Sequence, residues 1–185
     1  EEAAVAAPPV QETRETPVSA APENTPASEP EREPEPAAEP RNTAPAAKDR
    51  TVLISGGDRG IGAAAARAFY AAGCRVAVFY HTNAEAAAAL QKELPGVLAI
   101  QCDVASRASC ELAFRAAEQA LGRVDVLVNN AGITRDNLIL RLTEQDFDAV
   151  LDTNLKSAFL CCKEAARRMV RQRHGRIINL SSVVA

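Results

Sequence analysis

From Thr51 onward, short runs of β-branched and other apolar residues alternate with longer Ala-rich stretches whose apolar positions recur at helical spacing. Val52-Leu53-Ile54 predicts a first strand, and Gly60 to Ala72 a helix that Gly73 ends. Arg75 to Phe79 predicts a second strand, with a helix following from about Asn83. Val97 to Ile100 gives a third strand, and Ser106 to Leu121 a third helix with Ser106 at its N-cap and Gly122 behind it. Val124 to Val128 is a fourth strand; Thr143 to Arg173 reads as helical with a break near Asn154; Arg176 to Leu180 is a fifth strand. The strands are near-continuous apolar runs, which implies burial on both faces, and each crossover is long enough for parallel pairing. The expected fold class is α/β, a doubly wound parallel sheet layered between helices.

Composition divides the chain near residue 50. The first 50 residues hold ten of the eleven prolines, no aromatic residue and a net charge of −6, leaving +3 on the remainder. Such a Pro/Ala/Glu-rich stretch buries too little apolar surface to offset the entropy of ordering, so residues 1–50 are expected to be a disordered tail and residues 51–185 a domain. The Glu content speaks against an organelle transit peptide, which favours a cytoplasmic protein over one of the plastid stroma or mitochondrial matrix. No apolar run approaches the length of a membrane span. The mild positive excess, without interleaved stacking aromatics, gives no case for nucleic acid. Five cysteines (Cys74, Cys102, Cys110, Cys161, Cys162) without C-x-x-C spacing, and two distant histidines, predict reduced core thiols and no metal site. The absent initiator Met and the abrupt Val183-Val184-Ala185 end lead us to expect a piece of a longer protein.

Between the first strand and first helix lies Ser55-Gly56-Gly57-Asp58-Arg59-Gly60-Ile61-Gly62. Glycines there let the backbone turn sharply and approach a pyrophosphate, for which the helix N-terminus supplies N–H donors and a positive dipole end. At the end of the second strand, where an NAD-preferring fold commonly places a carboxylate, stand Tyr80 and His81. With no carboxylate to repel a 2′-phosphate and with Arg59 in the glycine loop, NADP fits better than NAD. Asp103, in Cys102-Asp103-Val104, is read from local sequence as a helix-capping or turn carboxylate.

The fourth strand runs into Asn129-Asn130-Ala131-Gly132. Together with Gly56, Gly60 and Gly62 in G-x-x-x-G-x-G spacing, this motif resembles the short-chain dehydrogenase/reductase family, with Ser55 where the family pattern has Thr. The resemblance implies a Rossmann-like domain whose later strands are missing here. It also implies a cofactor cleft bordered by Ser55, Gly56, Asp58, Arg59, Gly60, Ile61, Gly62, Tyr80, His81, Asp103, Val104, Asn130, Ala131 and Gly132, with Asp103 near the adenine. Ile133-Thr134-Arg135-Asp136-Asn137 and Gly175 to Val184 look like the 3-oxoacyl-[acyl-carrier-protein] reductases of fatty-acid synthesis. The likeness covers nearly all of Thr51 to Ala185. It implies NADPH-dependent reduction of a 3-oxoacyl thioester on acyl carrier protein, by a homo-oligomer, a tetramer in relatives.

Carried over by position, the family's catalytic Ser matches Ser182, and its catalytic Asn matches Asn154. The hydroxyl would hydrogen-bond the substrate carbonyl, and the Asn backbone would hold a water of the proton relay. The Tyr and Lys of the family's Y-x-x-x-K do not occur within these residues, since the two tyrosines are Tyr70 and Tyr80. The chain as written is therefore expected to be inactive. Arg173 matches an arginine with which family members dock the acidic carrier, and the basic stretch from Arg167 to Arg176 also suits a helix C-terminus. Phe159, Leu160 and Met169 on the same long helix are expected to face a partner chain. Two other readings stay open: a short-chain dehydrogenase for another alcohol or ketone, and a non-catalytic dinucleotide-binding scaffold.

Overall fold

A computed structural model of the protein describes residues 47–182; the expected disorder of residues 1–46 and the last three positions lie outside the described residues. A 3-10 turn, Ala47–Asp49, leads into β1 (Thr51–Ser55), α1 (Gly60–Ala71), β2 (Arg75–Tyr80), α2 (Ala84–Glu93) and β3 (Leu98–Gln101). Then come α3 (Arg107–Leu121), β4 (Val126–Asn129), α4 (Glu144–Val150), a π-helical segment (Leu151–Lys156), α5 (Ser157–Gln172) and β5 (Arg176–Asn179). Lys48 to Arg50, which composition assigns to the tail, lie against β2: Arg75 Nη2 donates to Asp49 O at 3.0 Å and Arg75 N to Arg50 O at 2.9 Å.

The sheet is parallel throughout, in the order β3-β2-β1-β4-β5. The chain winds outward from β1 to β3 and then crosses back to β4, so the crossover reverses beside β1. In such sheets a crevice opens at the carboxyl ends of the strands flanking that reversal. Local chemistry sets the helix ends. Asn83, Ser106 and Thr143 each cap a helix by accepting a backbone N–H three residues on. Gly73 (φ 82°) and Gly122 (φ 81°) stop α1 and α3 in backbone conformations that L side chains rarely adopt.

Because side chains alternate along a strand, the apolar runs feed two cores. Leu53, Ala77, Phe79 and Leu127 meet Phe114 of α3 and Leu160, Cys161, Ala165 and Met169 of α5. Val52, Ile54, Val76, Val78, Val126 and Val128 meet Ala63 and Ala66 of α1 and Leu90 of α2. Phe79 and Phe114 pack edge to face with ring centroids 5.6 Å apart, and Arg168 stacks on the Phe114 ring at 5.2 Å. That guanidinium also bridges Glu118 of α3 and the buried Glu164 of its own helix, both at 2.7 Å. Among the described residues no helix is long and apolar enough to cross a membrane.

The break expected near Asn154 takes the form of a π segment: the α-helix is interrupted between α4 and α5, and one widened turn keeps the chain helical across it. Two expectations need correction. Leu160 and Met169, each 8% exposed, pack in the core, and only Phe159, 61% exposed, faces outward. β5 is exposed along its length although a strand buried on both faces was expected there, because it forms the sheet edge among the described residues.

Phe114 is fully buried and holds the contacts of both α3 and α5, so Phe114→Ala should lower unfolding free energy by about 3–5 kcal/mol. Phe159→Ala should stay within about 0.5 kcal/mol for the isolated chain. Equilibrium denaturant melts compare the two; similar losses would contradict this assignment of the α5 faces.

Candidate functional site

The turn after β1 and the turn after β4 meet at the carboxyl edge of the sheet. Ser55, 2% exposed, ends β1 with its Oγ accepting from Asn130 N at 3.0 Å and Ala131 N at 3.1 Å. Asn130 answers with its side chain: Nδ2 donates to Ser55 O at 3.0 Å and Gly56 O at 2.8 Å. These four bonds join the glycine loop to Asn130-Ala131-Gly132, two segments some seventy-five residues apart in sequence. A hydroxyl at position 55 meets the need whether it comes from Thr or Ser.

The join leaves no room for side chains between the turns. A Cβ on Gly62 would run into Gly56 O and Asn130 Nδ2, and one on Gly56 would stand 3.0 Å from Ala131 Cα in a backbone at φ 61°. A Cβ on Gly60 would meet nothing within 4 Å; its glycine answers a φ of 54° and leaves open space in front of the α1 N-terminus. Arg59 occupies the N-cap position without making a side-chain cap bond, so no side chain closes off the first-turn N–H groups of α1. An anion seated there would meet free donors and the positive end of the helix dipole.

In front of this turn lies a cleft of about 540 Å³. Its walls include Gly56, Asp58, Arg59, Gly60 and Ile61 from the loop, and Tyr80 and His81 from the end of β2. Asp103 and Val104 follow β3, and Asn130, Ala131 and Gly132 follow β4. Ser55 and Gly62 stand behind the wall, Ser55 as the hydrogen-bonding post and Gly62 as the point of closest approach. Thr82, Asn83, Ile133, Arg135 and Thr153 also border the cleft; no motif marked them, because they enter through the ends of neighbouring elements. Asp103 serves its turn, with Oδ1 accepting from Ala105 N at 3.0 Å, and presents its exposed side chain to the same cleft.

Asn154 sits in the π segment and grips the chain just past Gly132. Its Oδ1 accepts from Ile133 N at 2.8 Å and its Nδ2 donates to Ile133 O at 2.9 Å. The widened turn thus lets a helix side chain satisfy both backbone groups of one loop residue. Ser182 is exposed beyond the end of β5. Arg173, by contrast, ends α5 at the opposite edge of the sheet, away from the cleft.

The five cysteines are unpaired, and four are buried. The Cys102 thiol is pushed up by its hydrogen bond with Cys110 and by burial. For Cys110, the bond with Cys102 pulls down, but the one with Cys161 and burial outweigh it, leaving the thiol pushed up to about 12. Both stay protonated at neutral pH although Cys102 borders the cleft, so neither is a nucleophile. Among the described residues no group of three or more His, Cys, Asp or Glu is placed to hold a metal ion.

Gly62→Ala should lower stability by about 1–3 kcal/mol and weaken nucleotide binding more than about tenfold, as followed by thermal melts and fluorescence titration. Gly60→Ala has space and should cost only about 1–2 kcal/mol of backbone strain. A Gly62→Ala variant that bound like the wild type would refute the close approach. Iodoacetamide at neutral pH should label Cys162, the half-buried thiol, and spare Cys102 and Cys110 in the folded chain; mass spectrometry of the labelled peptides gives the answer.

A family model described as short chain dehydrogenase matches residues 50–185. The 3-oxoacyl-[acyl-carrier-protein] reductase FabG of Staphylococcus aureus (strain Mu50) is 46% identical over 139 residues, 73% of this chain and 56% of the relative. The FabG of Staphylococcus epidermidis (strain ATCC 35984) is 43% identical over 140 residues, 74% of this chain and 57% of the relative. The 3-oxoacyl-[acyl-carrier-protein] reductase of Synechocystis is 41% identical over 138 residues, 72% of this chain and 56% of the relative. The chain thus spans a little over half the length of these curated relatives. With the glycine turn, the asparagine clamp and the family match in agreement, the chain belongs to the short chain dehydrogenase family.

Proposed function

We propose that this chain is the cofactor-binding part of an NADPH-dependent 3-oxoacyl-[acyl-carrier-protein] reductase. The observation that carries the reading is the clamp of Asn130 on Ser55 and Gly56, which builds one cleft from the two motifs and leaves the α1 N-terminus open in front of it. The family's cofactor is a nicotinamide dinucleotide. The residues present fit such a group: Gly60 has open space before it, first-turn N–H groups face that space, and Gly62 permits close backbone approach. The choice of NADP rests on Arg59, Tyr80 and His81, which border the cleft without a carboxylate at the β2 end.

When bound, the dinucleotide supplies the hydride. Gly56 to Gly62 hold its pyrophosphate, and Asp103 and Val104 border the adenine end. Asn130 fixes the spacing between the glycine loop and the Ala131-Gly132 wall, and Asn154 fixes Ile133 beyond it. Ser182 donates a hydrogen bond to the substrate carbonyl oxygen as negative charge develops there. Transfer of the proton needs a Tyr and Lys in Y-x-x-x-K, which these 185 residues do not include.

Acyl carrier protein is the partner the relatives' names supply, and Arg173 is the carried-over docking residue. A second copy of the chain would cover the exposed Phe147, Leu151, Leu155 and Phe159, which stand four residues apart along α4, the π segment and α5. Five unpaired thiols support a reducing compartment, the cytoplasm above all.

The 185-residue polypeptide should bind NADPH at least about tenfold more tightly than NADH, and Arg59→Ala should remove most of that preference while leaving NADH binding unchanged. Fluorescence titration measures both; a preference for NADH defeats the NADP reading. In a protein that carries this sequence with a downstream Y-x-x-x-K, a 3-oxoacyl thioester should drive NADPH oxidation, followed by absorbance. Ser182→Ala should lower kcat by about 10²-fold or more with nucleotide affinity kept.

A further inference from the structure

We propose that Ser157 is a positioning residue for the cleft. Its buried hydroxyl fixes the place of the widened turn, and through that turn it holds Asn154 on Ile133 and Thr153 on the cleft wall. On the reading of this cleft as a reductase site, Ser157 belongs to it without touching nucleotide or substrate.

Backbone hydrogen bonds carry the case. In a regular α-helix the Ser157 N–H would donate to Thr153 O, four residues back. Here it donates to Asp152 O, five residues back, at the end of the π segment. Thr153 O thereby loses its α-helical donor, and the Ser157 hydroxyl takes that place, with Oγ donating to Thr153 O. Serines in regular helices also bond to the carbonyl four residues back, but there the carbonyl already holds an N–H, and the second bond only bends the helix. At Ser157 that N–H has gone elsewhere, so the side chain is the replacement donor. Ser157 is 4% exposed, which makes water a poor substitute for its hydroxyl.

The residues next to this bond are the ones that reach the cleft. Thr153 borders it, and so does Ile133, which Asn154 grips by two bonds at 2.8 and 2.9 Å. A Cβ on Gly132 would stand 3.3 Å from Asn154 Oδ1, so the asparagine arrives in a tight space and in one orientation.

A helix with one extra residue can take it up one position earlier or later, and a residue that changes sides of the widened turn rotates by about 100° about the axis. Asn154 would then point away from Ile133. The hydroxyl selects one position, because only the bond from Ser157 N–H to Asp152 O leaves Thr153 O to the side chain. The other side-chain contact across this turn, Lys156 to Asp152 at 3.0 Å, joins two half-exposed groups whose attraction water screens. It does not hold the turn in place.

The test is amide hydrogen exchange, followed by NMR on the 185-residue chain and read at the Ile133 N–H that donates to Asn154. Ser157→Ala should speed exchange at Ile133 at least about tenfold. Ser157→Thr, which keeps a hydroxyl able to reach the carbonyl four residues back, should stay within about threefold of the wild type. Ala165→Gly, buried about two turns further along α5, should lower the melting temperature and leave Ile133 exchange within about twofold. In a protein that carries this sequence with a downstream Y-x-x-x-K, Ser157→Ala should lower kcat about tenfold or more and keep KM for NADPH within about twofold. Unchanged exchange at Ile133 in Ser157→Ala, equal acceleration in Ser157→Thr or Ala165→Gly, or a loss in KM with kcat kept would each overturn the proposal. Failure of the reductase reading would appear separately, as an absence of thioester-dependent NADPH oxidation in the wild type while exchange at Ile133 still answers to Ser157.

Discussion

The site depends on one close contact, between the turn that follows β1 and the turn that follows β4. Two adjacent parallel strands end at the same level, Ile54 opposite Val128, and the chain must leave both without filling the space above them. Ser55 and Asn130 resolve this by exchanging hydrogen bonds, each using a side chain to satisfy the other's backbone. Those bonds are largely sheltered, where an unmade one would cost about 1–3 kcal/mol. Everything that follows, from the absent Cβ of Gly62 to the open face of α1, is a consequence of how near the two turns come.

A second constraint holds the layer behind the site. α3 and α5 cover one face of the sheet, and between them stand Glu164, Arg168 and Glu118 over the Phe114 ring. A buried carboxylate such as Glu164 is tolerable because two arginines reach it. Replacing one partner alone would strand the other charge, so the trio ties α5 to α3 on this face of the sheet.

Much of this was legible in the sequence because it rests on short-range rules. Gly73 and Gly122 end helices, Ser106 caps one, and apolar runs flanked by helical periods give parallel strands. The glycine loop and Asn129-Asn130-Ala131-Gly132 named the cleft before any contact was visible. What escaped depends on three-dimensional neighbours. Leu160 and Met169 differ from Phe159 only by the helical angle at which they meet the core; an irregularity near Asn154 was legible, but not its π form. Thr153 and Arg135 reach the cleft through elements whose placement no local motif encodes. Likewise, the even-looking basic run from Arg167 to Arg176 separates into inward and outward members only when Glu118 and Glu164 are in place.

The π segment also bears on which changes in length the chain can absorb. A π turn holds one residue more than an α turn, so loss of one residue between Leu151 and Lys156 would leave a regular helix. Local hydrogen bonding would become regular, and the helices on either side would keep their facing, because the residue removed is the one that the widened turn accommodates. Cys161, Ala165 and Met169 would stay in the core, and the loss would fall on Asn154, whose hold on Ile133 comes from within the widened turn. The irregular turn thus serves the loop beyond Gly132 and not the packing of the helix on either side of it, so its extra residue is a local expenditure made for the site.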